Sequence, residues 1–234
     1  SATTSNGISI DPPALHFKFD ETSGTAVDEA SANQDDGVLS NATDSSWISA
    51  GAIDGALALD GVDDYVSTNL SSAITGDMSI SCWINMDSAN TGKRAVDLDG
   101  FQVRFGNDGR VGWDNGGGPD EEVYSVSRVD DASWHHVAFV RSGTDYLLYV
   151  DGVLENSGLG TVESYHSLYV GRRDEGSYYE GSIDDLRIYN YALSASQVEA
   201  ISYQDDIGIS VRFVRAASAG IESLSPAKID VKIN

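Results

Sequence analysis

The chain has 234 residues with 37 acidic and 14 basic side chains, which give a formal net charge of −23 at pH 7. This balance argues against nucleic acid and anionic membrane surfaces as partners, because both need a basic protein surface. A hydrophobic content of 41%, 24 glycines and only 4 prolines favour one large β-sandwich with its own core.

The single cysteine, Cys82, excludes an internal disulfide, and its strand-like surroundings predict a buried thiol. The chain has no run of about 20 apolar residues, which is the length that a membrane-spanning helix requires. No signal peptide begins the sequence, so we expect any export signal to lie outside it.

The first predicted elements are a linker and three strands. Residues 1–13 are polar, include a short strand candidate at 8–10, and end in a proline pair that is typical of a domain edge. Residues 15–19 alternate between apolar and polar and predict the first strand of the main domain. Residues 55–61 and 64–67 are expected to pair with each other around an Asp-Gly turn.

The middle of the chain predicts a sandwich of short strands. A hairpin is predicted for residues 134–141 and 145–150, with a polar loop between them and a tight Asp-Gly turn after them. Other strand-like segments recur between turns rich in Asp, Asn and Gly, at residues 78–86, 94–98, 101–105, 110–113, 123–129, 167–171 and 181–189.

The last predicted elements are one helix and a tail. Ser194 can cap a helix over residues 195–201, where good helix formers carry an apolar spacing. Residues 207–214 and 227–233 alternate and predict two more strands. We expect them to form a small extension that pairs with residues 8–10 at the base of the sandwich.

Four segments, taken in order, resemble the laminin G-like jelly rolls, which have the concanavalin A-like fold. They are FKFDETSG at 17–24, GALALDG and DYV within 55–66, the hairpin at 134–152, and YEGSIDDLRIYNYAL at 179–193. The resemblance implies an all-β fold, a two-sheet antiparallel jelly-roll sandwich with a short helix and a small C-terminal β extension. Most domains of this fold bind ligands, usually sugars.

The resemblance also divides the chain. We expect a linker or short strand at residues 1–13, the laminin G-like domain at 14–203 and the β extension at 204–234. Residues 225–234 resemble the last strand of the cadherin-like or immunoglobulin-like repeats of bacterial surface adhesins. The extension is therefore expected to be part of an adjacent or split repeat domain.

The family commonly holds one structural calcium near the ends of its first and last strands. Calcium takes six to eight oxygen ligands from carboxylates, amides and backbone carbonyls. The resemblance therefore implies Ca2+ bound by Asp20, Asn33, Asp36 and Asp185, with Asp184 beside the last of these. The alternative is that these residues only cap turns.

A sugar site needs aromatic faces and rigidly held hydrogen-bonding groups. One candidate is Trp113 with Asp114 and Asn115, and a second is the set Arg172, Arg173, Tyr178 and Tyr179. The two arginines could grip the carboxylate or sulfate of an acidic glycan. Core packing of Trp113 and Tyr179, and pairing of the arginines with Asp174 or Glu175, are the alternatives.

No catalytic site is predicted. Glycosidases of this fold class use a Glu-x-Asp-x-x-Glu strand, lyases use Gln-x-His, and neither pattern occurs. No serine-hydrolase elbow, Walker loop or zinc pattern occurs either. The hairpin histidines, His135 and His136, are expected to serve the scaffold, by packing or hydrogen bonding.

The function expected from these features is that of a calcium-stabilised, lectin-like module of an exported bacterial multidomain protein, and the favoured parent is a cell-surface adhesin. Its partner would be an extracellular or cell-surface polysaccharide, with the module monomeric within a larger chain. Two alternatives remain open: a targeting module of a secreted polysaccharide-degrading enzyme, and a structural or protein-binding spacer.

Overall fold

A computed structural model describes residues 2–3, 8–87, 92–106, 108–114, 123–160, 164–173 and 177–203. The regular elements among these residues are β-strands, one α-helix and one short 3-10 turn at Asp44–Ser46, and loops connect them. The elements are β1 (Ala2–Thr3), β2 (Ser9–Ile10), β3 (Leu15–Phe17), β4 (Ala26–Val27), β5 (Gly37–Ser40), β6 (Trp47–Ile48), β7 (Ala56–Asp60), β8 (Tyr65–Thr75), β9 (Met78–Asn85), β10 (Arg94–Leu98), β11 (Phe101–Phe105), β12 (Val111–Asp114), β13 (Val123–Tyr124), β14 (Trp134–Ser142), β15 (Asp145–Val150), β16 (Val153–Leu159), β17 (Ser164–Val170), β18 (Glu180–Tyr189) and α1 (Ala195–Ser202).

Two antiparallel sheets of eight strands each face one another, so the predicted sandwich is confirmed. The front sheet has the order β13-β12-β11-β10-β17-β8-β5-β4. The back sheet has the order β16-β15-β14-β9-β18-β7-β6, with β3 also paired to β18. Neighbours in each sheet come from distant parts of the sequence, which is the strand exchange expected of a jelly roll.

The core lies between the sheets and follows from the two-residue period of the strands. In β9, Met78, Ile80, Cys82 and Ile84 all point into it, and Cys82 is fully buried as predicted. A strand turns alternate side chains to opposite faces, so the residues between these point outward. Alternation therefore fixes which face of each strand is free to carry a site.

Helix α1 covers part of the outer face of the back sheet. Val198 and Ile201 pack there against Ala138, Val140 and Tyr149. Ser194 caps the helix as predicted, and its side chain exchanges hydrogen bonds with Gln197 in a capping box.

The central hairpin forms as the sequence predicts. In β14 and β15, Val137 faces Val150 and Ser142 faces Asp145, so the loop itself is shorter than the predicted one. Asp151 and Gly152 then adopt φ values of 49° and 78°, the left-handed pair of a two-residue hairpin turn leading into β16.

The expected pairing of residues 55–61 with 64–67 is wrong. Strand β7 lies in the back sheet next to β18, whereas β8 lies in the front sheet next to β17. The Asp-Gly turn therefore carries the chain from one sheet to the other. Alternation identified both strands, but it carries no information about which strand is the partner.

The two ends of the chain differ in what the structure describes. Near the start, β1 pairs with β2, and the buried Ile10 joins the cluster beneath the helix. The predicted extension at 204–234 lies outside the described residues. Its expected pairing with residues 8–10 therefore stays a prediction. In the described ranges, no helix is both long and apolar enough to span a membrane.

Candidate functional site

A row of side chains crosses the outer face of the front sheet at one level. Successive register partners in this row are Gln102, Asp97, Tyr169, Ser67 and Val38, from β11, β10, β17, β8 and β5. Their sequence neighbours point into the core, so alternation turns all five outward. We call this set the cross-strand row.

One end of the row opens into a groove of about 530 Å3, the front groove. This volume lies within the range of small-molecule sites, about 300–1,000 Å3. Val38 in its wall is 55% exposed, and the ring of Tyr169 is half-buried. The lining residues are Gln34, Asp35, Asp36, Val38, Ser67, Thr68, Asn69 and Tyr169.

The polar groups of the front groove are held in place by the backbone. The Asp35 carboxylate accepts the N–H of Ser71 at 3.0 Å. The Asp36 carboxylate accepts the N–H of Glu29 at 3.0 Å, and the Thr68 hydroxyl donates to the Asp36 carbonyl at 3.0 Å. The groove therefore presents oriented acceptors beside an aromatic ring.

Arg172 stands beside the middle of the row. Its guanidinium carbon lies 3.9 Å from the ring centroid of Tyr65 and 4.7 Å from that of Tyr169. Its side chain also hydrogen-bonds to Tyr178. Its Nε is buried and has no hydrogen-bond partner. Two aromatic rings and a phenol thus position this cation.

The far end of the row holds buried polar groups. Arg94 Nε donates to Gln102 Oε1 at 2.8 Å, while Gln102 is fully buried and its Nε2 has no partner. Burial raises the pKa of Asp97, and the positive charges of Arg173 and Arg94 oppose that shift. Of the predicted sugar-site residues, Arg172 and Tyr178 lie together beside the middle of the row, and the charge of Arg173 acts on Asp97 in the row.

The structure corrects the prediction for two aromatic residues. Trp113 and Tyr179 are fully buried. Trp113 stacks on Tyr146 with ring centroids 4.4 Å apart, and Tyr179 stacks on Phe105 at 5.3 Å. Both rings belong to the core between the sheets and offer no face to a sugar.

The other two residues of the first sugar candidate can be placed only in part. Asp114 is the register partner of Gln102 and so ends β12 at the level of the row. Asn115 lies outside the described residues, as do Asp174 and Glu175, the alternative partners of the arginines. Sequence reasoning missed Tyr169 and Gln102, although alternation with buried neighbours could have marked both as outward residues.

A second site lies at the end of β3, where Asp20 and Asp184 approach the loop 51–55. Asp184 Oδ2 accepts the N–H of Ile53 at 2.7 Å, and Asp20 Oδ1 accepts that of Gly55 at 2.9 Å. Asp184 is fully buried, and its Oδ1 has no hydrogen-bond partner. Burial, with smaller effects from Asp185 and Asp20, raises the pKa of Asp184 from 3.8 to about 7.

The glycine at position 51 allows the Gly55 carbonyl and the Asp184 carboxylate to approach the backbone closely. A Cβ there would collide with the Gly55 carbonyl oxygen and would lie 2.9 Å from Asp184 Oδ2. An unpartnered carboxylate oxygen, a carbonyl and a second carboxylate form an all-oxygen donor set, which fits a calcium ion. We call Asp20, Asp184 and the loop 51–55 the oxygen cradle.

The structure places the four predicted calcium ligands apart from one another. Asp185 is already neutralised, because it lies 2.6 Å from His16 Nε2 and 2.8 Å from Arg187. Asn33 donates to the Ala14 carbonyl, and Asp36 lines the front groove. Of the four predicted ligands, only Asp20 lies at the cradle. Asp184 was the missed residue, because sequence alone does not say which of two adjacent aspartates turns toward the loop.

Another acidic cluster lies in the turn between β7 and β8. Carboxylate oxygens of Asp60, Asp63 and Asp64 lie within 4.8 Å of one another. Asp60 accepts the N–H of Val62 at 2.8 Å, as turn aspartates commonly do. Burial raises the pKa of Asp64.

The paired histidines lie on the back sheet. His135 Nδ1 lies 2.9 Å from Asp151, and its Nε2 lies 3.2 Å from Asp131. His136 is buried with its ring edge-on to Trp83, and burial lowers its pKa to about 4. Both side chains thus contact scaffold groups of the back sheet.

Solved structures of other proteins share this fold. Domain 4 of AbnA, a GH43 extracellular arabinanase from Geobacillus stearothermophilus in complex with arabinotriose, is similar with a TM-score of 0.63 and 19% identity, over 82% of this chain and 98% of that one. The binding domain of Paraclostridial Mosquitocidal Protein 1 gives a TM-score of 0.66 at 15% identity, over 82% and 52% of the two chains. At these identities the similarity shows the fold alone.

Sequence comparison gives the family. The sushi, von Willebrand factor type A, EGF and pentraxin domain-containing protein 1 of Rattus norvegicus is 29% identical over 97 residues, 35% of this chain. The chain spans only 3% of that relative's length. Residues 60–199, more than half of the chain, match the laminin G family described as the concanavalin A-like lectin/glucanases superfamily. The chain therefore belongs to the laminin G-like family of that superfamily.

Proposed function

We propose that this protein is a carbohydrate-binding module and that a sugar chain binds in the front groove. The observation that carries the proposal is the half-buried Tyr169 ring in an open groove of about 530 Å3 lined by hydrogen-bonding side chains. Aromatic rings cover the C–H faces of sugars, and oriented polar groups hold their hydroxyls.

Rigidity of the groove supports the proposal. Its walls come from β5, β8 and β17, and backbone N–H groups fix both aspartates of its rim. A site that is already ordered loses little entropy when a ligand binds. The arabinanase domain of similar fold, solved with arabinotriose, supports a sugar as the class of ligand. In this proposal the module binds the sugar and does not cleave it.

We also propose that the oxygen cradle holds a structural calcium ion. Asp20 and Asp184 would hold it, together with backbone carbonyl oxygen of the loop 51–55. The ion would supply positive charge to Asp184 Oδ1, a buried oxygen that otherwise lacks a partner. It would also tie the end of β3 to β18, since each contributes one of the two aspartates.

We propose a location and a parent protein for the module from its acidic charge and its lectin-like fold. An acidic, lectin-like module suits an extracellular or cell-surface protein, where salt screens its charge and calcium is plentiful. We propose a bacterial surface adhesin as the parent protein. A polysaccharide-degrading enzyme is the second candidate, favoured by the arabinanase domain of similar fold.

A glycan array followed by calorimetry tests the proposed groove. Val38→Lys places a long side chain in the groove from a 55% exposed position. Val62→Lys is the matched control, because Val62 is 69% exposed and does not line the groove. We expect Val38→Lys to weaken binding at least about tenfold, or about 1.4 kcal/mol, and Val62→Lys to leave it unchanged.

Removing the aromatic ring tests the same site independently. Tyr169→Ala should abolish measurable binding, whereas Tyr203→Ala, a 63% exposed tyrosine at the end of the helix, should not change it. Circular dichroism confirms that both variants fold. Wild-type affinity in Val38→Lys and Tyr169→Ala, or no binding to any glycan by the folded protein, would overturn the proposal.

A further inference from the structure

Positive charge is concentrated on one side of the front groove. The chain carries only 14 basic side chains in a net charge of −23. Four arginines nevertheless lie on the outer face of the front sheet or directly after β17: Arg94, Arg104, Arg172 and Arg173. Register places them on the β17, β10 and β11 side of the groove, opposite its acidic rim at Asp35 and Asp36.

Arg172 keeps its charge available. Within the described part of the chain, neither Arg172 nor Arg173 forms an ion pair with a carboxylate. The rings of Tyr65 and Tyr169 hold the Arg172 guanidinium instead, at 3.9 and 4.7 Å. Aromatic contacts and hydrogen bonds to the phenols of Tyr178 and Tyr169 position the guanidinium without neutralising its charge.

The unused polar groups on this side are donors. Among the residues that the structure describes, the buried atoms Arg172 Nε and Gln102 Nε2 have no acceptor, although the Gln102 side chain is otherwise fixed by Arg94. A buried donor without an acceptor is unfavourable. Donors of this kind suit a group that carries several acceptor oxygens and a negative charge.

The cross-strand row connects these donors to the groove. Four strand-to-strand steps separate Val38 from Gln102. At about 4.8 Å between neighbouring strands, the row is roughly 19 Å long. Tyr169 stands in its middle, since it lines the groove and also contacts Arg172. A ligand that fills the groove and continues along the row is therefore an oligosaccharide, and its further end meets the arginines.

We propose that the arginine side of the row is a subsite for an acidic sugar, with Arg172 and Arg173 binding its oxyanion. This inference rests on the proposed sugar site in the front groove. The shared ligand chemistry is an oxyanion on a sugar ring, which a uronate or a sulfate ester can supply. Asp97 is a carboxylate within the row, and the positive charges of Arg173 and Arg94 act on it. Screening over about 8 Å at physiological salt weakens the effect of more distant acidic groups.

The test compares oligosaccharides of one length and one backbone in three forms: neutral, with a uronate, and with a sulfate ester. The backbone is one that the glycan array shows to bind. We expect the wild-type protein to bind one acidic form at least about tenfold more tightly than the neutral form, and salt to reduce this preference. Whichever acidic form binds more tightly identifies the preferred oxyanion as a uronate or a sulfate ester.

Two variants assign the preference to the arginines. Arg173→Gln removes a charge from an exposed side chain, and Arg172→Gln removes the charge held by the tyrosines. Both should lose most of the preference for the acidic form. Arg128→Gln is the control, because Arg128 is an exposed arginine paired with Asp130.

The outcomes separate this inference from the proposed function. Equal binding of neutral and acidic forms, or a preference that survives in both arginine variants, would overturn the acidic subsite. The proposed sugar site in the front groove would be unaffected by either result. Absence of binding to every form would overturn both. Loss of the preference in Arg172→Gln and Arg173→Gln, with Arg128→Gln unchanged, supports the subsite.

Discussion

Asp184 is a buried carboxyl group with one oxygen unpartnered among the described residues, and in the proposed calcium site it would link calcium binding to stability. Its pKa in the metal-free fold rises to about 7 from an ordinary 3.8, chiefly because burial penalises the charged form. Between these two values the folded protein holds a proton that the unfolded chain has released. The free energy of unfolding therefore decreases as pH rises through this window when calcium is absent.

Asp184→Asn should remove this dependence on pH. In a chelator, urea unfolding from about pH 4 to about pH 7 should show the wild-type protein losing a few kcal/mol relative to the variant. Added calcium should stabilise the wild-type protein at pH 7 and have little effect on Asp184→Asn. Asp87→Asn is the control, because Asp87 is exposed. A calcium response that is equal in all three proteins would contradict the cradle.

His135 gives a pH dependence of its own. Hydrogen bonding to Asp151 is the main cause that raises its pKa above 6.5, and Asp131 adds to it. A raised histidine pKa stabilises the fold at pH values below the unfolded-state pKa, and this stability is lost as pH rises through the folded-state pKa.

His135→Gln should therefore flatten the stability profile as pH rises from below to above 6.5, the ordinary pKa of histidine. The measurement is the urea midpoint across this range for the wild-type and variant proteins, both in excess calcium so that the cradle does not contribute. If the difference between the two proteins does not change with pH, the ion pairs of His135 do not contribute to stability.

The turn between β15 and β16 shows how elements are fixed to one another. Gly152 has φ of 78°, and a Cβ there would collide with the Ser202 hydroxyl in α1. Gly143, in the preceding turn, has φ of 61° and no atom within 4 Å of a Cβ. The two glycines thus share a left-handed backbone and differ in the contact with the helix.

Comparison of two alanine variants measures that contact. Gly143→Ala should cost about 1–2 kcal/mol, from left-handed backbone strain alone. Gly152→Ala should cost about 1–3 kcal/mol more, because the helix must shift to admit the methyl group. Chemical unfolding measures both. Equal losses would mean that the helix does not pack on this turn.

At the scale of elements, local pattern predicted the strands and the helix but not their partners. Ser194 and Gln197 carry the capping signal within four residues, and Asp151-Gly152 carries the turn signal within two, so both were readable. The pairing of β7 with β18 joins residues more than 100 positions apart. No local signal encodes such a pairing, which explains the incorrect hairpin at residues 55–67.

At the scale of the whole molecule, the family could be recognised from four short segments, whereas the site could not be located. The cross-strand row gathers residues 38, 67, 97, 102 and 169 from five strands. Sequence reasoning selected Arg172, Arg173 and Tyr178 because they stand together in one polar segment. It also selected Trp113, because the polar residues beside this tryptophan do not show whether the strand turns its ring into the core or toward solvent.

The central claim is that an oligosaccharide lies along the outer face of the front sheet. A crystal structure with the tightest-binding oligosaccharide from the array tests it most directly. The account predicts a sugar ring on Tyr169 in the front groove and the chain continuing past Arg172 toward Gln102. Sugar bound elsewhere, on the back sheet or beside the loop 51–55, with the front groove empty, would contradict it.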